Sequence, residues 1–265
     1  MSEIPAALVK QLREETGAGF MDCKRALEQT GGDLEAAQRL LREQGVAQAG
    51  KRAGRETTEG IVLSTIAGAT GAMVAIGCET EPVSRNAEFL AFAERALETV
   101  EESGPEAAEG LEDARVELVA KMGENVVVRG AARLQSSDGE LLAEYVHPPS
   151  NKIGVLLKAR GDNPAAARRL AMHISFAAPR FVTRDDVPTE DLAAEREIFQ
   201  KQPDLEGKPE QVQAKMVEGM LAKRFFAEAV LLDQPWIHEP SKTVDQALRE
   251  DGLEVVEFTR FALAE

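Results

Sequence analysis

Leu8, Val9 and Leu12 fall on one face of a helical repeat, Met21, Ala26 and Leu27 on a second, and Leu34, Ala37, Leu40 and Leu41 on a third. Thr16-Gly17-Ala18-Gly19 breaks the first pattern from the second, and Gly31-Gly32-Asp33 supplies a stop followed by an N-cap. The spacing predicts a three-helix domain over residues 1–50. A core of about 45 residues is marginal by itself. Its apolar surface therefore suits either an independent bundle or one that docks on a partner. The stretch AGKRAGRETTEG (49–60) is basic and glycine-containing, and reads as a linker centred on 51–56, although a helix C-terminus also gathers Lys and Arg.

Beyond it the period changes to that of strands. GIVLSTI (60–66) and GAMVAIG (71–77), separated by AGAT, predict a hairpin followed by a helix from about 86 to 101. LLAEYV (141–146) and KIGVLLKAR (152–160), separated by HPPSN, predict a second hairpin followed by a helix from about 164 to 177. NVVVRGAARL (125–134) and LEVVEFTRFAL (253–263) close the two units as β-β-α…β. The expected fold class is α+β: a small three-helix domain, then two repeated subdomains with antiparallel sheets, over 57–140 and 141–265. Two short patterns can also resemble each other by chance. TEDLAAEREIFQ (189–200) and KPEQVQAKMVEGMLAKRFFAEAVLL (208–232) flank a Gly- and Pro-containing turn and predict an antiparallel helical hairpin inserted at about 187–232. Such a hairpin either bridges solvent or touches a partner.

Charge narrows the function. The 265 residues carry a net charge of −15, distributed as +1 over residues 1–55 and −16 over the rest. That balance argues against a binder of nucleic-acid phosphates and against an anionic membrane surface. Hydrophobic residues make up 43% and charged residues 29%, values of a folded chain rather than a disordered one. Cys23 and Cys78 are too few and too far apart for a disulfide framework or a C-x-x-C zinc site, which fits a reducing compartment. The beginning MSEIPAALVKQLREETG lacks the basic start and apolar core of a signal peptide, and no apolar run reaches a membrane span, so a cytoplasmic location is expected.

Motifs for covalent chemistry are missing from the pattern. There is no G-x-x-x-x-G-K-[ST] phosphate loop and no G-x-S-x-G elbow, and Gly17-Ala18-Gly19 follows a helix and lacks a third glycine. Three histidines, at 147, 173 and 238, form no metal-ligand spacing. Glu79 and Glu81 flank Thr80, but carboxylates two apart in a loop are ordinarily solvated.

Longer motifs are more specific. CETEPVSRN (78–86) resembles the C-x-T-D-F-V-[AS]-[RK]-[ND] signature of the bacterial translation elongation factor Ts family, and LREETGAGFMDCKRAL (12–27) is similar to that family's opening L-R-x-x-T-G-A-G-M-M-D-C-K-K-A-L. LVAKMGENVVVR (118–129), LAMHISFAAPRFV (170–182), GKPEQVQAKMVEGM (207–220) and QPWIHEPSKTV (234–244) follow in the family's order, so the resemblance spans essentially the whole chain.

The resemblance implies a three-helix, UBA-like N-terminal domain, a duplicated α+β core and an inserted coiled-coil hairpin. It implies a guanine-nucleotide exchange factor for elongation factor Tu that makes and breaks no bond and needs no cofactor or metal of its own. The complex could be a dimer of heterodimers. A module that binds and holds the GTPase with weakened exchange is the alternative.

On this resemblance, Thr80, Glu81, Pro82 and Val83 form the loop that disturbs the Mg²⁺ site of the GTPase. Arg13, Thr16, Gly17, Ala18, Gly19, Phe20, Met21 and Lys24 fall in the motif that lies on its nucleotide-binding domain. Val126 and His147 correspond to core residues near the partner, and Ile237 and His238 to a segment near its third domain. One departure falls in the loop. Glu81 keeps a carboxylate one methylene longer than the usual Asp, but Pro82 replaces an aromatic wedge by a smaller, rigid body.

Overall fold

A computed structural model describes residues 4–263. Helices α1 (Ala6–Thr16), α2 (Phe20–Gln29) and α3 (Leu34–Arg52) form the N-terminal bundle. Its small core joins Val9, Leu12, Cys23, Ala26, Leu27 and Ala37. Asp33 caps α3 by accepting the Ala36 N–H at 3.0 Å. The expected second face is corrected at one place: Met21 is 58% exposed, and Cys23 fills the core in its stead.

The expected linker is also corrected at its start, because Lys51 and Arg52 are the last turn of α3, where cations favour the negative end of the helix. Ala49 is buried in the core of the first subdomain, and the Arg52 guanidinium reaches the Val119 carbonyl at 3.4 Å. One helix thus belongs to two packing units.

Strands β1 (Glu59–Ala67), β2 (Thr70–Cys78) and β3 (Val126–Gln135) form an antiparallel sheet in the order β1-β2-β3. Between β2 and β3 run a single-turn helix α4 (Glu81–Ser84), α5 (Ala87–Ser103) and α6 (Glu112–Met122). Strands β4 (Glu140–Val146), β5 (Ile153–Arg160) and β6 (Glu254–Ala262) repeat the order as β4-β5-β6, with α7 (Pro164–Ala177) following the second strand. Even the irregularity recurs: the register slips between Ala75 and Ile76 against β3, and between Lys158 and Ala159 against β6.

The central strands read as continuous apolar runs because both their faces are covered. Ala72, Val74, Ile76 and Cys78 of β2 face α5 and α6, whereas Met73 and Ala75 face the other sheet. Val155, Leu157 and Ala159 of β5 face the helices of the second subdomain, and Leu156 meets the first sheet beside Val62, Met73 and Leu134. The two sheets therefore pack face to face with helices outside. Gly154 permits that approach, since a Cβ there would stand 2.5 Å from Val62 Cγ1 and 3.0 Å from Met73 Sδ.

Helices α8 (Thr189–Gln200) and α9 (Glu210–Met220) make the inserted hairpin. Phe199, Leu205 and Val217 fill its seam, and Arg196 pairs with Glu218 at 2.8 Å across it. A π-helical turn at Leu221–Phe226 and the short α10 (Ala227–Ala229) return the chain to the body. The last helix, α11 (Val244–Asp251), begins with a capping box of Thr243 and Gln246.

Candidate protein-interaction site

The turn between α1 and α2 is fixed by its own side chains. Gly17 sits at φ 66° and donates its N–H to Arg13 O at 2.8 Å, a left-handed C-cap that glycine adopts without a Cβ penalty. The Thr16 hydroxyl donates to Leu12 O at 2.6 Å and accepts the Ala18 N–H at 3.3 Å. The Cys23 thiol lies 3.7 Å from Ala18 O, and burial pushes its pKa up, so it packs rather than reacts. With the turn held from inside, Gly19 caps α2 and Phe20 and Met21 stand outward. Arg13 is exposed on α1, and Lys24 is half-exposed beside Glu28 at 3.8 Å.

The second segment leaves the end of β2. Thr80, in extended backbone at φ −131°, is the N-cap of α4, and Pro82 lies in the first turn, where no helical N–H is lost. Val83 packs toward the core of the first subdomain, whereas Glu81 and Pro82 are exposed. Glu81 Oε1 accepts from Arg85 at 2.5 Å, and Ser84 Oγ donates to Glu81 O at 2.8 Å. Burial, and next the neighbouring Glu124 charge, push the Cys78 thiol up to about 12.

Both segments adjoin the place where α6 gives way to β3. Glu124 accepts the Thr80 N–H at 3.0 Å and the Thr80 hydroxyl at 2.6 Å. Glu79 in turn accepts the Asn125 N–H at 2.6 Å, with Arg55 at 3.4 Å. Lys121 pairs with Glu88 of α5 at 2.9 Å, and a Cβ on Gly17 would stand 2.9 Å from its Nζ. Val126, expected near the partner, is fully buried and pairs with Cys78 across the ladder, so its side chain offers no surface. Its carbonyl accepts from Arg115 at 2.8 Å.

The remaining residues belong to the second subdomain. His147 is exposed in the loop after β4, and its Nδ1 lies 3.1 Å from the Tyr145 hydroxyl. Ile237 is half-buried and His238 exposed, with His238 Nε2 3.2 Å from Arg169 O. Trp236 is buried in the core and lies 5.1 Å from the ring of His173.

Two residues escaped the sequence reading. Buried His173 accepts the Ile237 N–H at 3.3 Å on Nδ1, and so holds that segment. Phe176, 80% exposed, lines a groove with Trp236, Ile237 and Pro240. The available signal for Phe176 was its place off the stripe of Leu170, Ala171 and Ile174, which face the core.

Among the described residues, no group of three or more His, Cys, Asp or Glu could hold a metal ion, and no helix is long and apolar enough to cross a membrane. The arrangement defines an α+β protein with a duplicated three-stranded core and an appended helical bundle. Residues 79–265 match the family model described as elongation factor TS.

The proteins called elongation factor Ts from Shewanella amazonensis, Serratia proteamaculans and Escherichia coli are 44%, 41% and 40% identical to this chain. The alignments cover 99%, 100% and 100% of it, and 91%, 93% and 93% of those proteins. The chain belongs to the elongation factor Ts family, a family of translation elongation factors.

Proposed function

We propose that the chain is the guanine-nucleotide exchange factor of elongation factor Tu. It binds the GDP form, promotes GDP release by disturbing the Mg²⁺ and phosphate site of that GTPase, and so allows GTP to reload during elongation. The observation that carries this reading is that two exposed segments, Phe20–Met21 and the α4 turn, both start beside the end of α6, where Lys121 lies against Gly17 and Glu124 binds Thr80. Two rigidly related contacts can favour one arrangement of a partner over another, which is what exchange requires.

The catalysis is differential binding. A factor that prefers the nucleotide-free arrangement weakens the nucleotide by as much as the nucleotide weakens the factor. Each tenfold gain in release needs about 1.4 kcal/mol of such preference. In this reading Glu81 approaches the metal site as a carboxylate, and Pro82 and Val83 stiffen and seat the turn that carries it. Arg13, Phe20, Met21 and Lys24 meet the nucleotide-binding domain, while Thr16, Gly17, Ala18 and Gly19 shape the turn. His147, Ile237 and His238 meet a different domain of the GTPase. The work is cytoplasmic and needs neither nucleic acid nor membrane.

Release of mant-GDP from elongation factor Tu, followed with catalytic amounts of the chain, tests this. Acceleration with turnover is expected. Stoichiometric binding without acceleration would instead support a holding module, the reading favoured by the small body of Pro82 where a wedge would stand. Light scattering of the complex tests whether two such heterodimers pair.

A further inference from the structure

The contact between Glu124 and Thr80 spans 44 residues of chain and lies just past the last rung of the β2–β3 ladder, Cys78 paired with Val126. At that point the strands diverge, and backbone pairing no longer holds the α4 turn. Glu124 takes over with both carboxylate oxygens. One accepts the N–H of the N-cap residue and the other its hydroxyl. Thr80 makes no side-chain cap of its own to α4, so its hydroxyl is free to serve this contact.

Three residues earlier, Lys121 stands over Gly17 and pairs with Glu88. The end of α6 thus lies against the α1–α2 turn and beside the residue that holds the α4 turn.

We infer that Glu124 is a positioning residue: it fixes the direction in which the α4 turn presents Glu81, relative to Phe20 and Met21. This rests on the exchange reading above and deepens it. A charge-assisted pair of hydrogen bonds at the root of a four-residue helix restricts the orientation of the whole turn, whose other polar side-chain tethers, from Arg85 and Ser84 to Glu81, are local and whose Val83 gives a non-directional apolar contact with the core. Exchange depends on placement within a fraction of an ångström of the productive geometry, so loosening this root lowers the maximal rate rather than the stability of the fold.

The test compares the full chain with Glu124→Ala, Glu124→Gln, Glu81→Ala and the double variant Glu81→Ala/Glu124→Ala in mant-GDP release from elongation factor Tu, across factor concentrations. Glu124→Ala is expected to lower the maximal release rate about tenfold. Its melting temperature is expected to stay within about 4 °C of the unchanged chain. Glu124→Gln should recover most of the rate, because its carboxamide can accept from the Thr80 N–H and donate to the Thr80 hydroxyl. In the Glu81→Ala background Glu124→Ala should cost nothing further, since the two act through one element.

Additive losses, or a Glu124→Ala rate equal to that of the unchanged chain, overturn the positioning role. Failure of the unchanged chain to accelerate release overturns the exchange reading instead. Amide hydrogen exchange then decides the positioning role. Residues 80–84 are expected to exchange faster in Glu124→Ala while residues 76–78 and 126–128 keep their protection. Unchanged exchange at 80–84, or loss along both strands, overturns it.

Discussion

His173 and Gln234 share a buried hydrogen bond of 2.8 Å between imidazole Nε2 and the side-chain carbonyl, 61 residues apart in the chain. The same Gln234 donates to Ala177 O and Glu228 O, and the other ring nitrogen of His173 accepts from Ile237. A neutral imidazole with its proton on Nε2 satisfies both contacts, and protonation would turn the Ile237 acceptor into a second donor.

The pH dependence has a definite sign. Burial holds the His173 pKa below its ordinary 6.5, so the unfolded chain takes up a proton before the folded one does. The stability that neutral His173 contributes is complete above 6.5 and is lost as pH falls through the lower folded value. His173→Leu is expected to be less stable at neutral pH. Its denaturation midpoint should also fall less than that of the unchanged chain between about pH 6.5 and pH 5. Equal slopes in urea titrations of the two chains would refute this.

Glu81→Ala is expected to slow GDP release while leaving the melting temperature nearly unchanged, because its ion pair with Arg85 joins exposed side chains and contributes about 0.5 kcal/mol or less. Pro82→Phe enlarges the same turn. About 50 Å² of extra apolar contact made only in the exchange complex corresponds to roughly 1 kcal/mol, or about fivefold faster release. Stopped-flow mant-GDP release at several Mg²⁺ concentrations measures both.

Gly17→Ala should destabilise the chain by about 1–2 kcal/mol through the left-handed backbone alone. Its methyl group also displaces Lys121, so the pairing with Glu88 weakens. Thermal unfolding gives the first effect. The second is read by adding Lys121→Met, which should cost less in Gly17→Ala than in the unchanged chain.

Glu144 alternates along β4 with Leu141, Ala143 and Tyr145, which face the helices, and so shares the inter-sheet side with Leu142. Its Oε2 is buried and has no hydrogen-bond partner among the described residues. Glu144→Met removes that desolvated oxygen and is expected to stabilise the chain by about 1 kcal/mol in urea unfolding. A lower midpoint would contradict the assignment.

Gly45 of α3 lies against Ala120 of α6, where a Cβ would be 3.3 Å from the alanine methyl. Gly45→Leu is therefore expected to cost about 1–3 kcal/mol by overpacking and to slow GDP release. The strands of both sheets should keep their amide protection.

Strand periodicity reported the six strands of the described residues because each carries its own hydrophobic pattern, continuous in β2 and β5 and mixed at the edges. The glycine punctuation around 17–19 and 31–32 reported the breaks of the bundle, and long motifs in register reported the family. Met21 was misplaced because it and Cys23 are both apolar and stand only two residues apart. The helical period itself separates them, since Cys23, Ala26 and Leu27 are spaced i, i+3, i+4 on one face, whereas Met21 lies about 140° around the axis from Ala26.

The sequence by itself determined the local elements, their duplicated order and the acidic character of the chain, since propensity, period and charge are properties of neighbouring residues. Only the tertiary structure decided what required distant segments to meet. It ran α3 past the expected boundary because Ala49 finds a second core. It set the two sheets face to face through Val62, Met73 and Leu156, although their strands carry no mark of which apolar face meets which neighbour. It also placed Glu124 under Thr80, a contact between two ordinary polar residues that becomes definite only where β2 and β3 end their pairing.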